Sequence, residues 1–163
     1  MTKTNSTGYS TGTKSNTGRR TTLIAKGARA VRYMVHWGLD NAERISSSAQ
    51  LERLLTFLRS VRGRDGAPYS IDLIPAGAGN GGLQLGIGHP DRAFVLALDD
   101  VGGFGLQDEM EPWPEPITFD CGPVVLDFKP AWTRIKPSTA IRAAHEYVGT
   151  GARPTCLRFD PDA

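Results

Sequence analysis

Between Tyr69 and Gln107 four apolar stretches follow one another with little between them, and this spacing limits the fold more than any other feature of the chain. Tyr69–Pro75 sets Ile71 and Leu73 on one face, and Leu83–Gly88 sets Leu83, Leu85 and Ile87 on one face with Gln84 opposite. Ala93–Asp99 is apolar on both faces, with Phe94, Leu96 and Leu98 against Val95 and Ala97, which marks a central strand. Gly103–Gln107 completes the series. The links His89-Pro90-Asp91-Arg92 and Asp99-Asp100-Val101-Gly102 are turn chemistry. Links this short force antiparallel neighbours, because a parallel crossover needs about a dozen residues. The expected result is a meander.

The flanks add helices. Ser46-Ser47-Ser48 offers N-caps ahead of Leu51, Leu54, Leu55, Leu58 and Val61, which recur at helical spacing up to Gly63. Pro137 suits the first position of a second helix through Ile141, Ala144 and Val148, closing near Gly149 or Gly151. Val31–Trp37 is aromatic and β-branched enough for a first strand, broken by Gly38 and Asn41, and Thr155–Phe159 forms a last one. Met110–Pro116 carries three prolines and cannot sit inside a ladder, so it becomes an extended surface loop bearing Trp113. Ile117–Cys121 and Val124–Phe128 add a hairpin around Gly122-Pro123. The fold class expected is α+β, an antiparallel sheet with two helices packed on one face.

Residues 1–30 stand apart. Sixteen of the first twenty-two positions are Thr, Ser, Gly or Asn, so this segment has nothing to bury and is expected to be a disordered tail, with residues 31–163 a single domain. The tail holds six basic and no acidic side chains, so the net charge of +2 leaves residues 31–163 at −4. Within them, Asp99, Asp100, Asp108, Glu109, Glu111, Glu115, Asp120 and Asp127 follow one another without an intervening Lys or Arg. Such a run is either a solvated face or a docking surface for a basic protein, whose approach it would accelerate by roughly 10 to 1,000-fold. Trp113 then serves either as an interface anchor or as a lid folded back on the core.

Motifs with chemistry are scarce. Gly77-Ala78-Gly79-Asn80-Gly81-Gly82 spells a dinucleotide pattern but leads into a strand where a helix is required, so it is a hairpin connection. His36, His89 and His145 lack a second ligand at metal spacing, and no Gly-x-Ser-x-Gly occurs. Cys121 and Cys156 lie far apart, as expected of small buried thiols in a reducing compartment. No apolar run reaches membrane length, and nothing near the first residue has the form of a secretory signal, so a cytoplasmic location is expected.

Gly82–Asp100 (GLQLGIGHPDRAFVLALDD) and Arg134–Phe159 (RIKPSTAIRAAHEYVGTGARPTCLRF) resemble the Imm1 family of bacterial immunity proteins, with the likeness running from about Tyr33 to Phe159. It is carried by the Gly-His-Pro turn between two strands, the Pro-headed helix, and Thr150, Gly151, Arg153 and Pro154 before the final strand. Phe159 stands where the family is expected to carry Trp; an aromatic is kept. The resemblance implies a non-catalytic inhibitor of a cognate polymorphic toxin, often a nuclease or nucleic-acid deaminase, with no catalytic residues, cofactor or metal. The expected partner is a toxin with a basic groove, met by Asp99, Asp100, Asp108, Glu109, Glu111, Trp113 and Glu115, with neither membrane nor nucleic acid bound. Two other readings remain: a small hydrolase or transferase with a scattered active site, and a nucleic-acid binder acting through the basic tail.

Overall fold

Strand alternation and helix periodicity meet on one buried layer. In a computed structural model that describes residues 33–77 and 81–163, the strands are β1 (Tyr33–Trp37), β2 (Asn41–Ile45), β3 (Ser70–Pro75), β4 (Leu83–Gly86), β5 (Phe94–Ala97), β6 (Phe104–Leu106), β7 (Ile117–Asp120), β8 (Val125–Phe128) and β9 (Arg158–Asp160). The helices are α1 (Ser48–Ser60) and α2 (Pro137–Thr150). Seven strands form one antiparallel sheet in the order β2-β1-β3-β4-β5-β6-β9, whose middle is the expected meander, and β7 and β8 pair separately. The tail, the first two residues of the expected opening strand and three residues of the glycine-rich connection lie outside the described residues.

Both helices cover the same face of the sheet. Tyr33, Val35, Ile71, Leu73, Leu83, Leu85 and Val95 point from the strands into one cluster with Leu51, Leu55 and Leu58 of α1 and Ala140, Ala143 and Ala144 of α2. Each large aliphatic side chain in it contributes roughly 1.5–3 kcal/mol of burial. The Ser47 hydroxyl caps α1 by accepting from the Gln50 amide at 3.2 Å, and the Gln50 side chain accepts in return from the Ser46 amide at 2.8 Å. α2 starts on Pro137 and stops at Gly151, whose φ of 68° lets its N–H turn back to the Tyr147 carbonyl at 2.7 Å.

The β7–β8 hairpin is a third layer on the opposite face. Phe94 of β5 meets Phe128 face to face at 4.0 Å and Phe119 edge-on at 5.1 Å. This is why β5 is apolar on both sides. Gly86 makes the approach possible, since a side-chain carbon there would lie 2.3 Å from the Phe94 ring and 2.7 Å from Phe119. Asp120 pins the hairpin to the segment after α1: its buried carboxylate accepts from the Arg64 amide at 2.8 Å and the Gly122 amide at 3.0 Å.

Two elements differ from the sequence expectation. Asn41–Ile45 forms β2, where Gly38 and Asn41 were expected only to end β1; it is an edge strand with four exposed residues, held by pairing with β1. The last strand is Arg158–Asp160, shifted along from Thr155–Phe159. The Glu146 carboxylate instead accepts from both the amide and the hydroxyl of Thr155 at 2.7 Å, fixing that residue in a turn.

Candidate functional site

The carboxylates singled out in the sequence occupy both ends of the β5–β6 hairpin. At the turn, Asp99 accepts from the amides of Val101 at 3.2 Å and Gly102 at 3.0 Å, an Asx-type turn, and also pairs with both forks of the Arg153 guanidinium. The Arg153 pairing holds the Asp99 carboxyl below the usual carboxylate range, assisted by the turn amides and opposed by partial burial. Asp100 beside it is exposed. At the other end, Asp108 pairs with Arg158 at 2.9 Å, and Glu109 accepts from the Gln107 side chain at 2.9 Å. Glu111 and Glu115 are exposed, and neither carboxylate has an ion pair among the described residues. Asp108, Glu109, Glu111 and Glu115 are therefore brought onto one loop, from which Asp99 and Asp100 are separated by the length of β6.

Basic side chains hold this loop by its backbone. Arg92 donates to the Glu111 carbonyl at 2.7 Å and Arg134 to the Met110 carbonyl at 2.7 Å, while the Gln107 side chain accepts from the Lys136 amide at 2.7 Å. The arginines thus bind carbonyls and leave the carboxylates of Glu109, Glu111 and Glu115 free of cations among the described residues.

Trp113 is half-buried and folds inward against the Phe94–Phe119–Phe128 cluster. Its ring meets His89 edge-on at 5.8 Å and lies 4.9 Å beneath the Arg92 guanidinium. Trp113 also lines an open cleft of about 710 Å³ with Arg59, Asp91, Arg92, Met110 and Lys136. The basic rim was missed in the sequence because its members come from three separate segments. His89 holds the neighbouring turn: its Nδ1 accepts from the amides of Asp91 at 3.3 Å and Arg92 at 3.1 Å. An acceptor nitrogen must be unprotonated, and burial pushes the His89 pKa down accordingly, with Arg62 and Arg92 helping and Asp91 opposing.

One constellation has the order of a hydrolytic triad. The Ser48 hydroxyl lies 2.7 Å from His145 Nδ1, and His145 Nε2 lies 2.7 Å from the Glu52 carboxylate. Ser48 and Glu52 are exposed on α1, and the chain of contacts bridges α1 to α2 away from the cleft beside Trp113. The linkage ties two helices whose packed face is otherwise apolar.

Both cysteines are free, and burial raises both thiols, the reverse of what an activated nucleophile requires. Among the described residues no group of three His, Cys, Asp or Glu side chains is placed to hold a metal ion. No described helix is long and apolar enough to cross a membrane.

A comparison with curated proteins finds no match to this chain. A comparison with protein families matches residues 40–161 to Immunity protein Imm1, a span that runs from just before β2 to just after β9 and includes the acidic loop, Trp113 and Arg153. The chain belongs to the Imm1 family of immunity proteins.

Proposed function

We propose that the protein neutralises a cognate polymorphic toxin, a nuclease or nucleic-acid deaminase, in the cytoplasm by pressing its acidic loop over the toxin's basic substrate groove. Membership in an immunity family supports a toxin as partner. The observation that carries the rest is the loop between β6 and β7, where four exposed carboxylates ride on a backbone clamped by Arg92 and Arg134. Asp108, Glu109, Glu111 and Glu115 stand in for the phosphates that such a groove binds, and the clamp lowers the entropy lost on docking. Trp113 supports the loop from below, Asp100 extends the negative charge, and Asp99 serves mainly the turn. Inhibition is exclusion over an interface of about 1,600 Å², with no chemistry by the inhibitor.

Co-expression with a candidate toxin domain, sought in the genes flanking this one, tests the reading. Wild-type protein restores growth, and the Glu109→Gln, Glu111→Gln, Glu115→Gln variant protects less and binds with a weaker salt dependence. Unchanged binding and salt dependence would sink it. The competing hydrolase reading rests on Ser48, His145 and Glu52; it requires the purified protein to hydrolyse an ester and His145→Ala to abolish that activity while leaving the fold intact.

A further inference from the structure

The sheet face away from the helices is only partly covered by the β7–β8 hairpin, and a polar row crosses the uncovered part. His36 on β1 stands opposite Asp72 on β3, and Asp72 stands opposite Gln84 on β4. Together with Ser70, Trp37, Leu39, Cys121 and Pro123, these residues line a cavity of about 220 Å³. The turn after β7 closes one wall: a side-chain carbon on Gly122 would fall 2.4 Å from the Gly38 carbonyl oxygen.

Two acceptors in this cavity have no hydrogen-bond partner. Ser70 is 4% exposed with an unpaired hydroxyl, and the Asp72 Oδ1 atom is buried and unpaired. Burial pushes the Asp72 carboxyl up, with Gln84 and His36 only partly offsetting it. Buried polar groups in native folds are ordinarily satisfied, so the unpaired Asp72 oxygen marks a place where a donor is missing, and the Ser70 hydroxyl beside it can donate or accept.

We infer that this pocket receives an arginine side chain of the protein's partner. The inference rests on the reading above, that the partner is a toxin with a basic groove. A carboxylate on the floor excludes anions. The volume is below the roughly 300 Å³ at which sites for drug-sized ligands begin, but it suits one side-chain head group. Ser70 and Asp72 both lie on β3, two residues apart and therefore on one face of the strand, and a planar guanidinium offers five donors to reach them, where an ammonium offers three from a point. The Trp37 ring supplies a flanking surface. Leu39, 63% exposed, and Pro123 give the lining an apolar edge of the kind that shields a buried anchor from water.

The test has two arms. In the first, N-acetyl-arginine amide is titrated into ¹⁵N-labelled full-length protein beside N-acetyl-citrulline amide, which has nearly the same shape without the charge. Saturable shifts at Ser70, Asp72 and Gln84 with arginine alone, lost in Asp72→Asn, support the pocket; equal shifts with citrulline, or none with arginine, overturn it. In the second, Asp72→Asn is expected to raise the dissociation rate of the toxin complex at least tenfold while its thermal melt shows an intact fold. Ser70→Ala, a smaller change to the same floor, is expected to act in the same direction. Unchanged toxin affinity in both variants overturns the pocket and leaves the immunity reading standing. A wild-type protein that neutralises no toxin overturns the occupant as well as that reading.

Discussion

Asp99 and Asp72 show two ways of placing a carboxylate in this fold. Asp99 sits at the β5–β6 turn, where Arg153 and two turn amides surround it, and its pKa falls. Asp72 sits in the middle of a sheet face with one oxygen unpartnered, and its pKa rises. One charge helps to build the fold; the other costs the fold something. Neither a turn nor a cap accounts for a carboxylate at Asp72, which is why the pocket around it, rather than the turn around Asp99, attracts a functional reading.

Asp120, like Asp99, is held by backbone amides: it is buried and accepts from two of them. Asp120→Ala should cost about 3 kcal/mol, because two donors to a charged group are left unsatisfied. A melt followed by circular dichroism should fall by roughly 6–12 °C. A change within error would mean the β7–β8 hairpin is held chiefly by its aromatic contacts.

The loop carboxylates should separate binding from stability. Replacing Glu109, Glu111 and Glu115 with Gln is expected to slow toxin association about tenfold in stopped-flow mixing at low salt. The unfolding free energy should stay within about 0.5 kcal/mol, since none of the three forms an ion pair among the described residues.

Asp99→Ala should lower stability by about 1 kcal/mol, a value discounted because the partners are partly exposed. The folded pKa is depressed, so this contribution is fully present above the ordinary carboxylate range and disappears as pH falls through the lowered value. Urea midpoints of variant and wild type should converge in acid.

Asp72→Asn should give the smallest effect and the opposite sign, a gain of roughly 0.5 kcal/mol at neutral pH. The folded pKa is raised, so the charged form carries its penalty above that value and loses it as pH falls toward the ordinary carboxylate range. A loss of stability at neutral pH would reveal a partner for Asp72 and collapse the contrast with Asp99.

Much of the fold was legible in the chain. Leu51, Leu54, Leu55 and Leu58 specify the buried stripe of α1, Pro137 and Gly151 bound α2, and the turns between β4, β5 and β6 force the meander. β2 was not legible, because Asn-Ala-Glu-Arg-Ile has no apolar alternation and becomes a strand only when β1 offers it an edge. The acidic run was visible as composition, but its division into paired and unpaired charges was not. Asp99 meets Arg153 and Asp108 meets Arg158 across about fifty residues of chain, and nothing local announces such partners.

By itself the sequence determined the two helices and the strands of the meander, that those strands run antiparallel, and the family to which the chain belongs, since periodicity, turn chemistry and motif order are properties of short stretches. Only the tertiary structure decided which carboxylates are neutralised, that Trp113 turns inward, and that His36, Asp72 and Gln84 align across three strands. Hydrogen bonds, burial and charge pairing depend on distances between residues far apart along the chain, and those distances exist only once the sheet has closed.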